Sequence, residues 1–117
     1  MLHFDLITLD AEHPDVMAAF WCVAMHLVEV EREDGDRWQV LASTDGTRRI
    51  GIQRGAPRLG TVHLDLTCSP HEFAAEVDRL LELGARRTRA DRVEPYGSIA
   101  NLADLEGNLF DVCAYLD

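Results

Sequence analysis

The chain has 117 residues, 47% of them hydrophobic and 27% charged, which supplies core material for one compact domain and leaves no stretch whose composition demands disorder. With 11 basic and 21 acidic residues the formal net charge is −10, which argues against binding to nucleic acid through phosphate contacts and suits a neutral or cationic ligand, or plain solubility. Every basic residue is arginine; lysine is absent, and Schiff-base chemistry goes with it.

Leu2 to Leu9 is a β-rich run ended by Asp10. Pro14 then opens a helix at the first helical position, where a missing N–H costs nothing. Val16, Phe20, Val23 and Leu27 recur at helical spacing and predict its inward stripe. Strands follow over Leu27 to Arg32, Trp38 to Ser43 and Thr47 to Arg54. Asp34-Gly35 and Asp45-Gly46 separate them as hairpin signals, because both central residues of a tight turn need φ > 0. Residues 55–60 read as a linker. Thr61 to Thr67 alternates as a strand. Ser69 as N-cap, Pro70 at the first helical position and Glu72 closing a capping box predict a helix start. Phe73, Val77, Leu80 and Leu81 give its apolar face, and Gly84 ends it. Ala85 to Arg89 reads as a short edge strand. After a polar loop, Ser98 to Ala103 and Asn108 to Leu116 form a hairpin around Asp104-Leu105-Glu106-Gly107.

Strand, helix and three strands therefore occur twice, with Pro14 and Pro70 about 56 residues apart. The expected fold class is α+β, built from two tandem βαβββ modules in one domain: module one over 1–54, linker 55–60, module two over 61–117. Cys22, Cys68 and Cys113 are odd in number and lack CxxC spacing, which predicts reduced thiols and a cytoplasmic protein. The N-terminus carries no basic-then-apolar leader pattern, and the longest apolar run, from Val16 to Ala24, is too short to span a bilayer. Richness in Arg, Ala, Gly, Val and Leu points to a GC-rich bacterial genome.

The run Leu6 to Pro14 followed by Ala18-Ala19-Phe20-Trp21 resembles the first strand and helix of glyoxalase-like domains of the vicinal-oxygen-chelate superfamily. Val62 to Leu66 resembles their fifth strand, and Asp104-Leu105-Glu106-Gly107-Asn108 is similar to their Asp-Pro-Glu-Gly-Asn turn, with Leu105 in place of proline. The resemblance covers essentially the whole chain. It implies a curved, cup-shaped mixed sheet with helices outside, a small-molecule ligand and a homodimer, without fixing a reaction.

The resemblance also directs attention to one metal-ligand position on each of the first, fourth, fifth and eighth strands of the family. His63 falls on the fifth-strand position and Asp111 on the eighth. The first-strand position is Leu6, which cannot bind a metal, and the fourth-strand position counts back to Gln53, a neutral oxygen. His63, Asp111 and Gln53 make a weak set for Zn, Ni, Fe or Mn, so no cofactor is firmly expected. His63 and Asp111 could instead serve as an acid–base pair or as a structural pair. Trp38 is a candidate for stacking on a planar or cationic ligand, Arg49 for an anionic group, and Cys113 and Leu6 for lining. Trp21 reads as core, and His3, His13, His26 and His71 as surface or capping residues. The function expected is small-molecule binding, as in bleomycin resistance-like proteins, without a complete metal site. The alternative is an enzyme of lyase, isomerase or dioxygenase type using His63 and Asp111.

Overall fold

The computed structural model describes residues 1, 3–60 and 63–116. Contacts divide the chain into two compact units, Met1–Arg58 and Leu59–Asp117, with the division inside the stretch read as a linker.

The first unit contains β1 (Ile7–Ala11), α1 (Pro14–Met25), β2 (Val28–Glu33), β3 (Trp38–Ala42) and β4 (Arg49–Arg54). Its sheet runs in the order β1-β4-β3-β2, with β1 parallel to β4 and the other neighbours antiparallel. Helix α1 starts at Pro14 and ends at His26, whose φ of 54° turns the chain out of the helix while its N–H reaches the Cys22 carbonyl. The buried stripe is Met17, Phe20, Trp21 and Ala24; Val16 and Val23 are 59% and 52% exposed. The predicted stripe is thus rotated by about one residue, because the larger Met17 and Trp21 take the inward positions and repay burial more than valine does. Phe20 packs edge-on against Trp21 at 5.1 Å. Leu27 is buried ahead of β2 and is no part of it. Beneath α1 lie Leu41, Ile50 and Ile52, together with Gln39, whose amide donates to Asp15 of the helix at 3.1 Å.

The turns are longer than Asp-Gly alone predicts. Asp34 and Gly35 both have positive φ, but the first hairpin closes at Glu33 and Trp38 across four turn residues. In the second, the Asp45 carboxylate accepts from the Ser43 hydroxyl (2.6 Å) and from both the N–H and hydroxyl of Thr47 (3.1 and 2.9 Å). This side-chain turn removes Thr47 and Arg48 from the strand, which begins at Arg49.

The second unit contains β5 (Leu64–Thr67), a single 3₁₀ turn (Pro70–Glu72), α2 (Phe73–Glu82), β6 (Arg86–Arg87), β7 (Arg92–Glu94), β8 (Gly97–Ala103) and β9 (Leu109–Tyr115). Thr61 and Val62 of the predicted fifth strand, and Leu2 of the first, lie outside the described residues. The Glu72 carboxylate caps Ser69, accepting from its hydroxyl and from its N–H, yet the residues it holds form the 3₁₀ turn and α2 proper begins at Phe73. Strand β5 runs parallel to β9 and β8 antiparallel to it. Strands β6 and β7 both pair with β8, β6 at Leu102 and Ala103 and β7 from Gly97 to Ile99. They are two pieces of one broken edge strand, so part of the predicted polar loop is sheet. An Arg87–Asp91 ion pair with contacts of 2.9 and 3.1 Å spans the break.

Phe110, Val112, Ala114, Ala100 and Leu102 are buried on the face that carries Val77 and Leu80 of α2. The turn between β8 and β9 is organised by buried Asp104, which accepts from the N–H groups of Glu106 (3.0 Å) and Asn108 (2.9 Å) and from the Asn108 amide (3.0 Å). That turn fixes the register, pairing Ala103 with Leu109 and hence Asn101 with Asp111. At the other end of the hairpin, a Cβ on Gly97 would stand 2.1 Å from the Ala114 carbonyl oxygen, so only glycine permits this approach.

Candidate functional site

Strand alternation places Asp65, Asn101, Asp111 and Cys113 on the face of the second sheet turned away from α2. His63 joins them just ahead of β5, its Nε2 3.3 Å from Asp65 Oδ1 and 3.6 Å from Asp111 Oδ2. His63 and Asp65 are half or more exposed at 51% and 62%, whereas Asp111, in the middle of β9, retains 21%. Behind Asp111 the row continues: the Asn101 amide donates to Asp111 Oδ1 at 2.7 Å, and Arg92 donates to Asn101 Oδ1 at 3.4 Å. Arg92 also stands 3.8 Å from Glu94, and its Nε is buried without a hydrogen-bond partner. The Asn101 amide is therefore fixed from both ends. It occupies one oxygen of Asp111 and leaves the other directed at His63.

His63 and Asp111, chosen from sequence, thus meet in one cluster. Asp65 shares the face of His63, and the His-x-Asp alternation carries that signal; one ligand per strand stops at His63. Asn101 could have been found by counting the hairpin back from its turn. Arg92 lay in a stretch read as loop and had no signal. Cys113 is buried next to Tyr115, and hydrogen bonding to Cys113, then the charge of Cys113, and after these desolvation and the charge of Asp65 raise the Tyr115 phenol. Burial is also the main cause that pushes the Cys68 and Cys22 thiols up, away from nucleophilic use.

The remaining predicted residues lie in the first unit. On the face of its sheet away from α1, β2 to β1 present one row Glu33, Trp38, Gln53, Asp10 and the next row Glu31, Val40, Gly51, Thr8. Gln53 is exposed beside Trp38. Trp38 is half-buried, and its Nε1 donates to Glu31 at 2.8 Å. Arg49 is half-buried with Nε 3.2 Å from Asp5, a charge contact outside hydrogen-bond geometry. Leu6 precedes β1 and is half-buried. Through the ladder of the first unit Thr8 pairs with Gly51 and Asp10 with Gln53, on the face away from α1, as Asp65 pairs with Asp111 in the second unit.

The sequence profile described as the glyoxalase-like domain matches residues 6–113. The chain belongs to that family. Its two mixed sheets agree with the vicinal-oxygen-chelate fold, and solved structures of low identity share it. Protein ATC0852 from Agrobacterium tumefaciens superposes with a TM-score of 0.84 at 14% identity, covering 100% of both chains. The E126Q variant of the fosfomycin resistance protein FosX from Listeria monocytogenes, complexed with Mn(II) and 1S,2S-dihydroxypropylphosphonic acid, gives 0.81 at 18%, covering 99% of this chain and 92% of its own. TnmS3, an antibiotic-binding protein from Streptomyces sp. CB03234, gives 0.72 at 16%, covering 99% and 98%. No curated protein matches the sequence. Among the described residues no helix is long and apolar enough to cross a membrane.

A divalent cation, present in one of these structural relatives, can be tested against the donor set. His63, Asp65 and Asp111 offer one imidazole nitrogen and two carboxylate oxygens, all within 4.8 Å of one another. The contacts of 3.3 and 3.6 Å from His63 are close to the edge of a coordination shell with bonds of about 2.0–2.2 Å. Asn101 supplies the outer hydrogen bond that orients a ligating carboxylate. The residues fit a divalent cation, through Asp65 where the sequence had offered Gln53.

Proposed function

We propose that this glyoxalase-like protein binds a small molecule on the helix-free face of its second sheet, with His63, Asp65 and Asp111 as the polar contacts. The observation that carries this reading is the row from His63 to Arg92. Asp111, braced by Asn101, is a half-buried carboxylate on the face away from α2, where it adds nothing to the apolar packing of Phe110, Val112 and Leu102 beneath that helix. Polar groups of this kind, held in fixed orientation at the edge of water, are what a ligand site needs. Two carboxylates against one imidazole favour a ligand with an amine or hydroxyl donor there, consistent with the net charge of −10. TnmS3, an antibiotic-binding protein that shares the fold, supports this reading.

A second reading is metal-assisted enzyme chemistry, and the compact His63–Asp65–Asp111 set favours it. Those residues would hold the ion, which would supply Lewis acidity towards ligand oxygens. Asn101 would keep Asp111 oriented, and Arg92, loosely partnered at the far end of the row, would meet an anionic group of the substrate.

Thermal-shift screening of cationic drugs and small oxo-acids, with and without Mn(II) or Zn(II), tests both readings. Metal-independent shifts abolished by Asp111→Asn and His63→Ala support the binding reading. Metal at one equivalent per chain, lost in His63→Ala and required for every shift, establishes the second reading instead. A flat response under all conditions removes both.

A further inference from the structure

Outside the His63 cluster, the first unit carries an aromatic feature built with some care. Its Trp38 indole is tied at both ends. At one end Nε1 donates to Glu31 at 2.8 Å. At the other, Cη2 and Cζ3 occupy the space above Gly51, where an added Cβ would stand 2.5 and 2.9 Å from them. Glu31 and Gly51 are the register partners of Val40 on its two sides. The indole is therefore laid along the sheet, from β2 across to β4, and does not stand off it. Val40 lies on the helix-free face and is nevertheless only 2% exposed. Trp38 itself stays half-buried.

The charge around this ring is acidic. Asp10 and Glu33 share its row, but Glu33 is compensated by Arg37 at 3.1 Å and Asp10 faces Arg58 at 3.8 Å. Glu31 is different: among the described residues it makes no ion pair with an arginine or histidine, and its carboxylate is anchored to the edge of the ring. An indole face with an uncompensated carboxylate at its rim attracts a flat cation through quadrupole and charge together. A Gly at residue 51 has its own physical sense here, because a glycine inside a strand weakens the strand unless something must lie close against it.

We infer that Trp38, seated on Gly51 and pinned by Glu31, is the stacking floor of a subsite for a planar, positively charged heteroaromatic ring. This goes beyond the small-molecule reading above and concerns a site of the first unit by itself. Arg49 and Gln53 are not needed for it.

The test uses N-methylquinolinium as the probe and quinoline at pH 8 as its neutral comparator, read by calorimetry and tryptophan fluorescence on the full chain. Trp21 is buried in the core, so quenching on binding reports Trp38. The expected result is saturable binding of N-methylquinolinium that Trp38→Leu weakens by about tenfold and Trp38→Phe partly restores. Glu31→Gln should weaken the charged probe severalfold and leave quinoline unaffected. Gly51→Ala should also weaken it, since the added methyl meets the movable end of a side chain and displaces the indole without disturbing backbone. Folding of each variant is checked by circular dichroism. Equal affinity in folded Trp38→Leu, or quenching that never saturates, overturns the inference. Quinoline binding as tightly as its methylated form overturns the assignment of a cation.

Discussion

Asp45 shows how a single exposed side chain can define a turn. Hydrogen bonds from Ser43, then from the Thr47 N–H and hydroxyl, lower its carboxyl from 3.8 to about 2. A depressed carboxyl contributes stability that is complete above its unfolded value and is lost as pH falls through the folded one. Acid titration by NMR should therefore show Asp45 protonating near pH 2, with the 43–48 turn loosening between about pH 4 and 2. Asp45→Asn should remove that acid step; a step that survives the substitution would assign it elsewhere. Asp104 is the buried counterpart. Asp104→Ala orphans the N–H groups of Glu106 and Asn108 and should cost about 3 kcal/mol in urea unfolding. A loss under about 1 kcal/mol would mean that the β8–β9 register is set by something other than this turn. At this scale the sequence was legible where residue type and position coincide, as at His63 and Asp111. It was silent where a partner comes from a neighbouring strand, as with Arg92, because pairing across a broken edge leaves no periodic trace.

Helix α1 separates pattern from packing. Its sequence offers two apolar rows one residue apart, Val16-Phe20-Val23 and Met17-Trp21-Ala24, and helical periodicity alone cannot rank them. The sheet beneath decides in favour of the second, so that of the first row Phe20, and Leu27 just past the helix, are buried while Val16 and Val23 are exposed. Met17→Ala should destabilise by about 2–5 kcal/mol, while Val16→Ala should stay within about 0.5 kcal/mol. Chemical denaturation of the two variants checks this, and similar losses in both would restore the predicted stripe. Most elements were readable because local signals agree with one another: Pro14 at a helix start, Asp34-Gly35 at a positive-φ turn, Gly84 after α2. The broken β6–β7 edge was not, since a strand of two residues has no alternation to read.

Across the whole chain, the duplication is visible in the ladders more clearly than in the residues. Each unit pairs its first strand in parallel with its last, and each carries its helix after the first strand. The polar chemistry, in contrast, is unequal: among the described residues the close set of one imidazole and two carboxylates belongs to the second unit alone. A repeat read from element order survives such divergence of the side chains. The remaining molecular property is charge. Ion pairs such as Arg37–Glu33 and Arg54–Asp36 are largely exposed, and each is worth about 0–1 kcal/mol. The excess of 21 acidic over 11 basic residues acts everywhere at once and opposes compaction. Salt at 0.3 M screens both effects, since the Debye length falls below about 8 Å. We predict that the net repulsion dominates, so that raising NaCl from 0.02 to 0.3 M raises Tm by about 3–6 °C, as about 1 kcal/mol does for a domain of this size. Thermal melts across that range decide it, and a Tm that falls with salt would show that the arginine pairs outweigh the net charge.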